Sequence, residues 1–175
     1  MLFQEDLFFH PTPITSERFL SRLAGVLTAR SGSSYSDALK LAERAIDGTV
    51  CACCGSRVKV YKRGITVGQV ATLRDLCARF SVGTVFESKQ INSRGGDYAK
   101  LAAFDLLEKC GESMWKITPN GRRFASGDSS ASRFAYFFLG ELVGLSVESA
   151  KVTLHGHRFR LDSISPHGVE MVFLR

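Results

Sequence analysis

At Val50 the spacing of apolar residues changes from that of a helix to that of a strand, and this change governs what the chain can build. Upstream, Phe19, Leu20, Leu23, Val26 and Leu27 recur at intervals of three and four, as do Ala38, Leu41, Ala42, Ala45 and Ile46. That spacing lines one face of a helix. Downstream, Val58 and Val60 alternate with Arg57, Lys59, Tyr61 and Lys62, the period of two that lines one face of a strand. Helices followed by short strands predict an α+β fold.

The punctuation divides the chain further. Residues 1–13 end on Pro11-Thr12-Pro13 and read as an extended arm docking its aromatics, or as a partner-binding peptide. Thr15-Ser16-Glu17 opens the first helix, and Ser36 with Asp37 opens the second, which stops by Gly48. Thr66 caps a helix carrying Val70, Leu73, Cys77 and Phe80. Asp97 begins another, with Leu101, Phe104 and Leu107, ended by Gly111. Met114–Ile117 reads as a strand, and Thr118-Pro119 as a cap and first helical position. Residues 127–132 are small and polar, and short strands separated by glycines follow. The expected organisation is an N-terminal arm with two helices at 1–49, a winged-helix-like module with a knuckle strand at 50–126, and a β-rich C-terminal subdomain at 127–175.

The net charge of +6 is unevenly placed. Residues 51–125 hold 13 Lys/Arg against 6 Asp/Glu, whereas 1–50 carry −1 and 126–175 carry 0. A concentrated positive field attracts phosphate backbones or acidic protein surfaces, or is simply a solvated face. No apolar run reaches the ~18 residues of a spanning helix. Acidic residues stand where a secretory signal would carry Lys or Arg, so a cytoplasmic location and no membrane partner are expected.

Five cysteines without a signal argue against a disulfide framework. Cys51-Ala52-Cys53-Cys54-Gly55 places Cys51 and Cys54 at the spacing with which two thiolates bind one tetrahedral zinc ion. A structural zinc takes four ligands, and no second Cys-x-x-Cys exists, so a knuckle with reduced thiols stands beside the zinc reading. Cys77 and Cys110 fall at apolar helical positions. His10, His155, His157 and His167 belong to no recognisable catalytic motif, and His155-Gly156-His157 reads as a hairpin turn. The chain is expected not to be an enzyme.

Four motifs occur in order: the Cys51–Gly55 knuckle, a basic strand ending Lys62-Arg63, Gly96-Asp97-Tyr98-Ala99-Lys100-Leu101, and Trp115-Lys116-Ile117-Thr118-Pro119-Asn120-Gly121-Arg122-Arg123-Phe124. Over about residues 50–165 this order resembles a group of small phage and prophage proteins of unknown function. In that group a Cys-Pro-x-Cys-Gly knuckle leads into a basic strand, a helix, and a Trp-x-Ile-Thr-x-x-Gly-x-x-Phe segment. Here Ala52 replaces the usual Pro, and Ala102-Ala103-Phe104-Asp105 stands where the group has an aromatic Arg-Tyr-Trp-Gly run. The resemblance implies a phage origin and a winged-helix-like core.

The expected function is that of a phage accessory protein binding nucleic acid through Arg57, Lys59, Lys62, Arg63, Arg94, Lys100, Lys116, Arg122 and Arg123, with Gly95-Gly96 as an anion seat. The alternative, from another class, is an inhibitor that binds a host defence or transcription protein. A homodimer is compatible with either, and zinc at Cys51 and Cys54 is the one cofactor the sequence offers.

Overall fold

The computed structural model describes residues 16–164 apart from 53, 93–96 and 147. The N-terminal arm, Arg94 and Gly95-Gly96 therefore lie outside the described residues. Helices α1 (Ser16–Ser31) and α2 (Tyr35–Ala45) form an antiparallel pair. The cap of α2 is Ser34, two residues before the expected Ser36; its Oγ accepts the Asp37 N–H at 3.2 Å. Ser34 has the extended backbone that a cap requires and stands three residues before the donor, whereas Ser36 is already inside the first turn.

The middle of the chain contains β1 (Thr49–Val50), β2 (Arg57–Val58), β3 (Val60–Gly64), α3 (Val67–Arg79), β4 (Val85–Glu87), β5 (Leu107–Lys109), β6 (Met114–Ile117) and α4 (Pro119–Ser126). Short 3-10 segments at Ser88–Gln90 and Tyr98–Phe104 separate β4 from β5. After them come β7 (Ser130–Ser132), β8 (Phe134–Phe138), β9 (Glu141–Leu145), β10 (Ser149–His155) and β11 (Arg158–Ile164). The strands pair antiparallel in the orders β1-β2, β3-β8-β9, β4-β6-β5 and β11-β10-β7.

Helix α3 is followed by a sheet of order β4-β6-β5, and residues 110–113 turn between β5 and β6, the hairpin at the place expected for the wing. The element expected from Asp97 differs. It is the 3-10 segment Tyr98–Phe104, ended by Asp105 at φ 56; Leu107 belongs to β5, and Gly111 lies in the wing turn. Apolar residues at a strict spacing of three, Leu101 and Phe104, suit a helix of three residues per turn, which eclipses them. Both are buried.

Residues 127–132 form no boundary between separate units. They hold β7, and the larger core cluster runs from Ile65 to Val152 without a break. Strand β3 also pairs with β8, so the middle and C-terminal segments share a sheet. That sheet lies between two cores. Phe138 joins Val58, Val143 and the inner residues of α1 and α2 on one face, with Val60 and Tyr136 packed beside them. Ala135, Phe137, Leu142 and Leu145 face the larger core. The pleat allows this, because successive β8 side chains point to opposite faces.

The segment Trp115–Phe124 folds as a unit. Trp115 is buried, donates from Nε1 to Ser88 Oγ at 3.1 Å, and meets Tyr98 edge-on at 5.4 Å between ring centroids. Thr118 caps α4: its Oγ accepts the Gly121 N–H at 2.8 Å and donates to the Asp105 carbonyl at 2.6 Å. Gly121 packs directly on the chain at Leu106, where a Cβ would fall 2.0 Å from the carbonyl oxygen. Arg122, expected on the surface, turns inward, and its guanidinium donates to the carbonyls of Cys77 (2.6 Å) and Phe80. It thereby satisfies the last turn of α3, whose carbonyls have no partner within the helix.

These placements separate neighbouring substitutions. Trp115→Ala should cost about 3–5 kcal/mol. Gly121→Ala should cost about 3 kcal/mol, because backbone rather than a flexible side chain opposes the new methyl. Arg122→Ala should cost about 1–3 kcal/mol, while exposed Arg123→Ala should stay within about 0.5 kcal/mol. Urea melts of the four variants check the order; equal midpoints for the two arginine variants would contradict it.

Candidate nucleic-acid interface

Strands β1 and β2 form a hairpin whose tip is the Cys-x-x-Cys-Gly segment. The Cys51 N–H donates to the Ser56 carbonyl at 2.8 Å, and the Gly55 N–H donates back to the Cys51 carbonyl at 2.9 Å. Gly55 turns with φ +70, a conformation that favours glycine. Cys54 is exposed at this tip and Cys51 is half-buried against the helical core. Neither is in a disulfide, and Cys53 lies outside the described residues. Among the described residues no third His, Cys, Asp or Glu gathers with Cys51 and Cys54. Cys77 is packed against the larger core, where burial pushes its thiol up despite nearby Arg122 and Arg74. Cys110 is exposed at the wing turn, not on a helix as its apolar context suggested.

The hairpin leads straight into the basic strand. Arg57 lies exposed on β2 opposite Val50. The aliphatic stem of Lys59 runs past Gly48. Strand β3 is the edge of its sheet, and its register puts Lys62 opposite Tyr136 and Gly64 opposite Phe134. The Lys62 ammonium accordingly sits 3.9 Å from the Phe134 ring centroid and 6.0 Å from that of Tyr136. Arg63 points to the other face, 5.4 Å from the ring of Tyr61, which is 43% exposed. Ion pairs among the described residues involve Arg30, Arg79, Lys89, Lys100, Lys116 and Arg160, and none of Arg57, Lys59, Lys62 or Arg63 is in one.

The cations expected on the wing side are used differently. Lys100 pairs with Asp97 at 3.0 Å and Lys116 with Glu108 at 2.8 Å across the β5–β6 ladder. The hydrogen bond to Glu108 holds the Lys116 ammonium above its ordinary range, with partial desolvation opposing. Burial pushes the carboxyl of Asp105 up, and Glu108 adds to the rise. Arg122 spends its donors on α3. Arg123 remains exposed on α4. The structure thus strings Arg57, Lys59, Lys62 and Arg63 along the β2–β3 segment, with Arg63 and Tyr61 on one face of the edge strand and Lys62 on the other, and does not bring Lys100, Lys116 or Arg122 into it. Tyr61, Phe134 and Tyr136 are the site residues that charge counting overlooked. Tyr61 was visible as the one aromatic inside the basic run, but Phe134 and Tyr136 reach it only through the β3–β8 register.

No protein-family model, curated protein or solved structure matches the chain. No helix among the described residues is long and apolar enough to cross a membrane.

With Cys51 and Cys54 as the pair at metal-ligand spacing, the isolated chain should hold less than one zinc per chain by elemental analysis, and chelator should leave its melt unchanged. One metal per two chains, lost together with a dimer in Cys54→Ser, would show instead that a second copy completes the ligand set.

Proposed function

We propose that this protein binds nucleic acid, and that the contact surface is the β2–β3 row rather than the wing. The observation that carries the reading is Arg57, Lys59, Lys62 and Arg63 standing within seven residues with no ion pair among the described residues, beside the exposed ring of Tyr61. Cations along an extended strand follow a phosphate backbone, and an exposed aromatic among them offers a face on which a base can stack. A charged edge strand also resists pairing with other chains, but that role needs no aromatic partner. The wing and the 3-10 segment before it are weaker candidates because Glu108 and Asp97 neutralise Lys116 and Lys100. The order of motifs, which resembles that of small phage proteins, is the ground for an accessory role in a phage.

Purified protein should shift generic oligonucleotides at ~20 mM salt, where screening is weakest. Four phosphate contacts give a logarithmic salt slope of about −3.6 on duplex, so affinity should fall by three to four orders of magnitude over a tenfold rise in salt. Changing Arg57, Lys59, Lys62 and Arg63 together to Gln should remove about 3.6 units of slope, and Arg123→Ala should leave most of it. Binding of a protein partner with little salt dependence, and no shift of nucleic acid at low salt, would favour the inhibitor reading instead.

A further inference from the structure

The zero net charge of residues 126–175 conceals a separation that only the folded chain shows. Glu141 is drawn to Arg30 on α1 at 3.2 Å, and Asp128 lies at the C-terminal end of α4, bonded to Ser126. What remains on the β10–β11 hairpin is Lys151, Arg158 and Arg160 against one carboxylate, Asp162. The register sorts these residues onto one face. Val152 lies opposite Leu161 and Leu154 opposite Phe159, and Val152, Leu161 and Phe159 pack on the larger core. The alternate rungs, Lys151–Asp162, Thr153–Arg160 and His155–Arg158, face outward. Asp162 is already engaged, accepting from Thr153 Oγ at 2.7 Å and pairing with Arg160. The Thr153 hydrogen bond holds its carboxyl below the usual range, partial desolvation opposes this, and Arg160 adds to the lowering. Lys151 and Arg158 form no ion pair among the described residues.

The shape of the hairpin matters as much as its charge. Its base is fixed: β7 pairs with residues 149–151, and Arg74 donates to the Ala125 carbonyl at 2.6 Å while lying 5.4 Å from the Phe159 ring. Gly127 comes so close that a Cβ there would fall 2.6 Å from the Val152 carbonyl oxygen. Beyond Val152 the ribbon leaves the body. Leu154 is 42% exposed, and residues 155–158 are exposed as well. The turn has two residues, with Gly156 at φ +60 and His157 not at positive φ, which is the tight primed connection that keeps a twisted ribbon straight to its end.

We propose that the β10–β11 hairpin is a second arm of the nucleic-acid contact, directed into a groove of double-stranded nucleic acid. This rests on the nucleic-acid reading of the β2–β3 row. A major groove about 12 Å wide admits a two-stranded ribbon, and strands are an established means of reading it. Lys151 and Arg158 would meet phosphates along the groove walls, and the imidazole N–H groups of His155 and His157 supply further donors at the tip. A single strand offers no groove, so the arm predicts a preference for duplex that the β2–β3 row alone does not.

The test uses the full chain with Lys151→Ala and Arg158→Ala together, leaving the Arg160–Asp162 pair in place. Both residues are exposed, and an unchanged thermal melt shows that the fold is kept. Binding is measured against a duplex and a single strand of the same length over a salt series. The expected result is a duplex salt slope shallower by about two units, with single-strand binding unchanged. Duplex binding identical to wild type, while the β2–β3 Gln variant loses it, would overturn the arm and leave the row standing. Equal loss on both substrates would overturn the groove assignment. Loss in the hairpin variant with none in the β2–β3 variant would support the arm and overturn the row. No binding by wild type to either nucleic acid would overturn both.

Discussion

The missing side chain at residue 121 is the constraint on which the rest of the arrangement depends. Because nothing projects there, the first turn of α4 lies directly against the Leu106 carbonyl. That contact sets the position of the residues within a few places on either side. Thr118 reaches the Asp105 carbonyl, Arg122 reaches the end of α3, and Phe124 is carried fully into the larger core. Three residues after Phe124, Gly127 adopts the left-handed conformation that closes the helix and brings the chain under β10. An eight-residue helix thus locates α3, the 3-10 segment, the wing and the C-terminal hairpin relative to one another. The ordered motif from Trp115 to Phe124 is accounted for by packing and capping, which leaves chemistry to residues outside it.

The sheet β3-β8-β9 performs the corresponding task for the N-terminal helices. Its two faces belong to two cores, so the basic edge strand is held rigidly although its own cations face water. Rigidity of this kind matters for a charged surface. Cations fixed by a sheet and by aromatic rings lose less freedom on meeting a phosphate than cations on a mobile loop. The division of charge follows from the same architecture. Lys116 on β6 and Lys100 in the 3-10 segment face carboxylates, while Lys62 on β3 faces rings.

Much of the local structure was legible in the sequence. Thr66 and Thr118 cap the helices assigned to them, Pro119 takes the first position of α4, and Met114–Ile117 is a strand with Trp115 buried. These features depend on neighbours within a few residues. What the sequence did not disclose depends on partners far along the chain. Arg122 reads as a surface cation until α3, 42 and 45 residues earlier, is placed beside it. The small residues at 127–132 read as a boundary because nothing local shows that β8 will pair with β3. Lys116 loses its apparent freedom through a cross-strand neighbour, and the β10–β11 cations disappear in a segment total of zero. Charge counts along a chain report composition, whereas a surface is assembled by register.

The sharing of β8 between two cores has a consequence for synthesis. Helices α1 and α2 leave the ribosome before β8 and β9, and Phe138 and Val143, which join their core, come about ninety residues later. At ~5–20 residues per second the helical pair waits on the order of 5–20 s with that core incomplete. During that interval it is a surface for chaperones, or for a neighbouring nascent chain on the same message. Strands β8 and β9 therefore complete a core that α1 and α2 begin.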